Sequence, residues 1–286
     1  MANTPPGRLY VVATPIGNLG DLSPRARQTL EACALVAAED TRHSAALLRH
    51  FQIATPLLSL HEHNERRRTP ALLARLAAGA DVALISDAGT PAISDPGFEL
   101  VRAAAAAGIE VVAVPGPCAA IAALSIAGLS TAEFSFLGFL PARSAARRGR
   151  LAQLSEEPRT LIFHESPHRL REMLEDCAGA LGGSRQAALG RELTKLHEQV
   201  HRGTLADLAA RAAREPDLAR GEIVVVIEGA PAAPAAGGAE LDRVLRALLE
   251  ELPLAQAARL AARIAGARGN AAYRRALELR DGSGSQ

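Results

Sequence analysis

Short apolar runs alternate with alanine-rich segments of helical period from about residue 8 to residue 229. The runs are RLYVVAT, ALVAAE, PLLSLH, DVALIS, EVVAVPG, FSFLGF, TLIFHES, AALGREL and GEIVVVIEG. Strands covered on both faces read as nearly continuous apolar runs, so this rhythm predicts α/β units around largely buried sheets. Nine or ten strands suggest two sheets. Helix starts are legible as well: Ser23-Pro24 before RARQTL and Ser166-Pro167 before HRLREML each place an N-cap serine ahead of a proline at the first helical position.

The same pattern divides the chain. A boundary near Pro115 to Cys118 gives an N-terminal α/β domain over residues 7–117 and a second over 118–230, the latter interrupted by a charged, strand-free stretch, PARSAARRGR, at 141–150. APAAPAAGGA, 230–239, has no apolar periodicity and reads as a linker. Beyond it ELDRVLRALLEEL, PLAQAARLAARIAG and NAAYRRALEL predict a helical tail over 239–281, helix-turn-helix-like around Gly266 to Asn270.

With 286 residues, 48% hydrophobic and 22% charged, the chain has enough apolar mass for two modest cores. A net charge of +1 lacks the basic signature of a protein that coats nucleic acid, and leaves an RNA partner neither demanded nor forbidden. Lys195 is the only lysine. Cys33, Cys118 and Cys177 are far apart and in no C-x-x-C arrangement, which suggests neither a disulfide framework nor a zinc knuckle and fits a reducing cytoplasm. The longest apolar run, Cys118 to Leu129, is too short to span a bilayer, and neither secretion nor membrane insertion is expected.

The chemistry concentrates where strands end. ISDAGTPAISDPG, 85–97, follows an apolar run and holds two glycines and two prolines among Asp87, Thr90, Ser94 and Asp95. A plain turn needs two to five residues, whereas long glycine- and proline-rich loops at strand C-termini are where α/β proteins place ligands. ATPIGNLGDLS, AEDTRHS, VPGPCAAIAAL, FHESPHR and GRELTKLHEQ occupy corresponding positions, and together they predict one crevice. Each singly is equally a cap or a strand reaching solvent, as Asp40 or Thr41 before SAALLRHF illustrates. The first loop is not G-x-G-x-x-G, so a dinucleotide site is not expected; HEHNERRR, 61–68, lacks a third ligand, and no metal site is expected.

In order and spacing these motifs, with FLGFLP, closely resemble those of the bacterial small-subunit ribosomal RNA cytidine 2'-O-methyltransferases, a branch of the tetrapyrrole methylase superfamily. The resemblance covers nearly the whole chain. It implies two α/β domains of that type, with S-adenosylmethionine bound in the cleft between them, a small C-terminal helical appendage, and a homodimer. The implied activity is 2'-O-methylation of the ribose of a decoding-site cytidine in 16S rRNA of the 30S subunit, in the cytoplasm. Matched motif by motif, the cofactor would contact Pro15, Ala88, Gly89, Thr90, Ile93, Cys118, Ala119, Glu165 and Leu193. Gly89-Thr90-Pro91 stands where tetrapyrrole-modifying relatives carry GDP, and TPIGNLGD replaces their GxGPGD, which favours the RNA-modifying branch.

A ribose hydroxyl is a poor nucleophile at neutral pH, so a group must accept its proton; Asp87, Asp95, Glu165 and Lys195 are the candidates. Arg42, Arg169 and Arg191 are placed to orient phosphates, and Arg143, Arg147, Arg148 and Arg150 to track the RNA backbone together with Arg263, Arg268, Arg274 and Arg275 of the tail. Two other readings share the sequence: a tetrapyrrole or diphthamide-pathway methylase on the same fold, and a non-catalytic ribosome-assembly factor that binds RNA.

Overall fold

Every apolar run becomes a strand, and the strands sort into two sheets. A computed structural model of the chain describes residues 5–231, 236–267 and 269–282. The first sheet is built from β1 (Leu9–Val12), α1 (Pro24–Ala32), β2 (Leu35–Ala38), α2 (Thr41–His50), β3 (Leu57–Ser59), α3 (Glu65–Ala77), β4 (Val82–Ile85), α4 (Phe98–Ala106) and β5 (Val111–Val114). Its strand order is β3-β2-β4-β1-β5 and all pairings are parallel. Side chains alternate between two cores. On β4, Ala83 and Ile85 pack with Leu30, Val36 and Leu48, while Val82 and Leu84 pack with Leu60, Leu72, Leu76 and Leu100 on the other face. Burial on both faces is why β4 reads as unbroken VALI.

The second sheet follows α5 (Ala119–Ala127). It comprises β6 (Phe134–Phe139), α6 (Ser144–Ala152), β7 (Thr160–Glu165), α7 (Leu170–Leu181), β8 (Gln186–Arg191), β9 (Gln199–Thr204), α8 (Leu205–Arg214) and β10 (Ile223–Ile227). The order is β6-β7-β10-β8-β9, with β6 and β7 parallel and the other pairs antiparallel. The edge strand β9 reads QVHRGT and leaves no apolar signature, because an edge strand half open to solvent needs none. The charged stretch at 141–150 folds from Ser144 onward as α6, with Arg143 at its N-cap. Ser23 caps α1 through Ala26 N as the sequence suggests; Ser166 makes no such side-chain bond, and Pro167–Arg169 form a 3-10 turn before α7.

Both sheets belong to one compact unit, Met1–Ser155 with Arg159–Glu228; the other is Glu156–Pro158 with Gly229–Gln286. In the latter α9 (Ala236–Glu251), α10 (Leu254–Ile264) and α11 (Gly269–Gly282) enclose a core of Leu241, Leu245, Ala258, Ala261, Ala272 and Ala276. Residues 232–235 of the expected linker lie outside the described residues. The last four form the first turn of α9, which the sequence does not mark because apolar periodicity starts only at Leu241.

Candidate functional site

The strand ends meet. Register places Glu165 of β7 and Arg191 of β8 on either side of Ile223 at the start of β10, and Phe139 beside His164. On the first sheet's side, Thr14 after β1 and Gly89 after β4 form an isolated antiparallel bridge, Thr14 N donating to Gly89 O at 2.9 Å and Gly89 N to Thr14 O at 3.1 Å. Thr90 Oγ1 donates to Pro117 O at 3.1 Å and fastens the β4 loop to the β5 loop. These loops surround a cavity of about 360 Å³.

Eight of the nine residues expected at the cofactor line this cavity: Ala88, Gly89, Thr90, Ile93, Cys118, Ala119, Glu165 and Leu193. Pro15 is buried and does not line it; its neighbour Ile16 does. The sequence did not single out Phe139, His164 or Glu222 for this wall, and it named Ser94 only as a polar residue of its loop. His164 stands one residue before Glu165 in FHES, but its direction depends on the register with β6. Backbone in the left-handed region clusters here too: Ala92 and Ser94 in one loop, Glu192 and Thr194 in another, with Gln52 the only other non-glycine case among the described residues. Such conformations cost about 1–3 kcal/mol each and persist where a site requires them.

Among the lining residues the charged groups are Asp95, Glu165 and Glu222; no arginine or lysine lines the cavity. Asp95 has its carboxyl raised above the ordinary range, first by burial and further by Asp87, while a Ser86 hydrogen bond opposes the shift. Glu165 is 3% exposed. Its Oε1 accepts from Ser166 N at 2.7 Å and lies 3.3 Å from Arg169 Nε, while Oε2 is buried with no partner among the described residues. Burial raises its pKa against the opposing pull of Ser166 N and Arg169. His164 Nε2 is likewise buried and unpartnered, its ring edge-on to Phe136 and Phe139, and burial holds the imidazole below its usual pKa and therefore neutral near pH 7.

Two acid–base candidates stand off the cavity. Asp87 Oδ1 accepts from Asp40 N at 3.0 Å and faces the β2 end beside Glu39, whose own carboxyl is raised by burial and by Asp95 and Asp87. Lys195 lays its stem over Gly17, where a Cβ would collide with it, and its Nζ sits 2.9 Å from Glu192 Oε1 and 3.3 Å from Glu222 Oε1. Burial alone would lower its pKa; the two carboxylates outweigh burial and raise it, so Lys195 is a fixed ammonium.

The expected RNA-contacting arginines part company. Arg42 is exposed and paired with Asp40, whose carboxyl it holds well below the usual range; Arg148 is exposed. Arg147 is not on the surface. It is 1% exposed, with Nε 2.7 Å from Asp176 Oδ2, Nη2 3.4 Å from Glu172 Oε2 and Nη1 donating to Ala142 O. An arginine consumed in this way by α7 cannot track an RNA backbone, and the expectation for Arg147 is corrected accordingly. Arg169 donates to Leu140 O besides facing Glu165, and Arg191 donates to Arg220 O. In HEHNERRR, Glu65 accepts from Leu100 N at the start of α4, a helix-capping role.

A family model described as tetrapyrrole (corrin/porphyrin) methylases matches residues 8–209, and one described as the RsmI C-terminal HTH domain matches residues 235–280. A ribosomal RNA small subunit methyltransferase I from Pseudomonas aeruginosa is 57% identical over 95% of this chain and 97% of its own length. One from Escherichia coli O157:H7 is 50% identical over 97% of each chain. Among solved structures, cobalt precorrin-4 methyltransferase superposes with a TM-score of 0.58 at 17% identity, covering 77% of this chain and 94% of its own. Uroporphyrin-III C-methyltransferase from Thermus thermophilus, complexed with S-adenosyl homocysteine, gives 0.54 at 18% identity, covering 78% and 97%. These structural likenesses concern the fold alone.

Proposed function

Because this chain belongs to the tetrapyrrole (corrin/porphyrin) methylase family, and to its ribosomal RNA branch by near full-length relatives, we propose that it is an S-adenosylmethionine-dependent methyltransferase acting on a cytidine 2'-hydroxyl of 16S rRNA. Its substrate in this reading is the decoding site of the 30S subunit, in the cytoplasm. Among the described residues no helix is long and apolar enough to cross a membrane. The observation that carries the cofactor reading is the composition of the cavity wall: three carboxylates, no cationic side chain, and apolar Ile16, Ile93, Leu193, Ile223 and Val224. That lining suits a cationic nucleoside, and about 360 Å³ lies within the usual range for small-molecule sites.

S-adenosylmethionine bound there would supply an electrophilic methyl group on a sulfonium, a neutral thioether being its leaving group. The chain's own residues do the rest. Gly89 and Thr90 would bring backbone to the cofactor, and the unpartnered Oε2 of Glu165, with Asp95, would supply negative charge to the sulfonium. Asp95 accepts the proton from the 2'-hydroxyl: it lines the cavity, and its raised pKa brings it closer to the working pH than an ordinary aspartate. Lys195, held protonated, is left to position Glu192 and Glu222.

A homodimer is part of the proposal. Phe98, Ile121, Phe134 and Phe139 are left exposed on one chain, Phe98 by 61% and Phe139 by 55%. A single-chain mass by light scattering at micromolar protein would remove that element.

Labelled methyl transfer to 30S subunits lacking the modification, followed by nucleoside analysis of the digested rRNA, tests the activity. The expected product is 2'-O-methylcytidine; transfer to a tetrapyrrole acceptor instead, or to neither, overturns the reading. Gly89→Ala tests the cavity. Gly89 has φ of +84°, and a Cβ would stand 3.2 Å from Ile16 Cγ2 and 3.5 Å from Pro117 O. Left-handed strain of about 1–2 kcal/mol together with this crowding is expected to weaken S-adenosylmethionine binding at least about tenfold by calorimetry.

A further inference from the structure

The residues lining the cavity all belong to the two-sheet unit, and the appended helices carry a separate charge pattern. From Leu252 to Leu277 the sequence holds five arginines, Arg259, Arg263, Arg268, Arg274 and Arg275, and no acidic residue; the tail's acids flank this run. Arg275 is taken up by Asp242 and Glu278. Arg259 and Arg263, one helical turn apart on α10, are exposed and paired with no carboxylate among the described residues.

An open groove of about 670 Å³ lies between α10 and the start of α11. Its lining includes Arg259, Arg263, Asn270 and Tyr273 over small residues such as Ala262 and Gly266. Tyr273 is the only aromatic residue from 229 to the C-terminus, yet it is 45% exposed instead of filling the small core.

We propose that this groove binds a single strand of RNA, a site additional to the methyl-transfer cavity. Residues at i and i+4 have Cβ atoms about 5–6 Å apart, so Arg259 and Arg263 are spaced to meet neighbouring phosphates of one strand. Tyr273 offers a face on which an unstacked base rests, a contact of value only where bases are not already stacked in a duplex. Small side chains let the strand approach the helix closely, and Asn270 supplies a donor and an acceptor to a base or ribose edge. A peptide helix would need large apolar side chains along the groove, which are missing. The proposal rests on the ribosomal RNA reading above and extends it to how the substrate is held.

The test uses the full chain. Binding to protein-free 16S rRNA is measured by filter retention across a range of salt, with S-adenosylmethionine binding by calorimetry as a control. Arg259→Glu/Arg263→Glu is expected to lower rRNA affinity at least about tenfold near 0.1 M salt. It should also flatten the plot of log affinity against log salt by at least about 1.4, two phosphate contacts at roughly 0.7 each, with cofactor binding unchanged. The double lysine variant keeps the wild-type slope, and Tyr273→Ala weakens binding about tenfold at unchanged slope. If charge reversal lowers the helical circular dichroism, the double alanine variant decides by the same slope. Unaltered rRNA affinity and slope in a folded variant overturn the proposal. So does a loss seen only with intact 30S subunits, which assigns the groove to a ribosomal protein. A wild-type protein that binds rRNA through the groove but transfers no methyl overturns the catalytic reading and leaves this one standing.

Discussion

Asp95→Asn should lower kcat for methyl transfer by about 10²- to 10⁴-fold, the usual range for removing a positioned general base, with S-adenosylmethionine affinity held within a few-fold. The replacement is isosteric and keeps an oxygen that can accept from Ser86, so the loop should hold its shape. The pH profile separates a proton acceptor from a merely structural carboxylate. Asp95 must be ionised to act, and burial with Asp87 nearby raises its pKa, so wild-type kcat should fall as pH drops through a value above the ordinary aspartate range. The residual activity of the asparagine variant should lack that limb. Stability should move the other way. A carboxyl with a raised folded pKa binds its proton more tightly when folded, so it costs stability as pH rises from about 3.9, the ordinary aspartate value, through the folded pKa. The asparagine variant should therefore be the more stable near neutral pH, and the two should converge in acid. A kcat within threefold of wild type would remove Asp95 from the mechanism and leave Glu165 as the remaining carboxylate of the original candidates at the cavity.

Arg147→Ala should destabilise the two-sheet unit by about 3–5 kcal/mol, read as a lower urea midpoint at unchanged slope. The guanidinium is 1% exposed and lies between Asp176, itself nearly buried, and the more exposed Glu172. Removing it leaves Asp176 without a cationic partner, held only by the Ser144 hydroxyl at 3.0 Å, beside Cys177, whose thiol is already pushed up to about 12 by burial first and by Asp176 second. Arg147→Met, which fills the volume without charge, leaves the same carboxylate unpaired and should recover only part of the loss. Activity per folded molecule should stay near wild type. A change of less than about 1 kcal/mol would mean that the Ser144 hydroxyl and water suffice for Asp176.

The arginine cluster shows how a sequence reading and a structure diverge. Arg143, Arg147, Arg148 and Arg150 look alike in ARSAARRGR, yet the pitch of α6 turns Arg147 inward against α7 and leaves Arg148 outside. Only the helix axis and its neighbour decide which of four arginines is buried. The same holds for the acid–base candidates. Asp87 and Asp95 share one loop, but the left-handed backbone at Ala92 and Ser94 lies between them, and Asp95 lines the cavity while Asp87 turns toward Asp40. Strand β9 escaped notice because an edge strand carries no obligatory apolar pattern.

What the sequence determined by itself was local and repetitive. The β-branched runs became strands because parallel strands buried on both faces need apolar residues at every position, as VALI of β4 shows. Glycine- and proline-rich loops at those strand ends marked where a cavity forms, and eight of the nine residues expected at the cofactor line it. What only the tertiary structure decided was direction and company. It gave the burial that holds His164 neutral, the two carboxylates that keep Lys195 charged, and the cavity wall without a cation. A pKa or a charge balance is a sum over neighbours brought together from distant parts of the chain, and that sum exists only once the chain has folded.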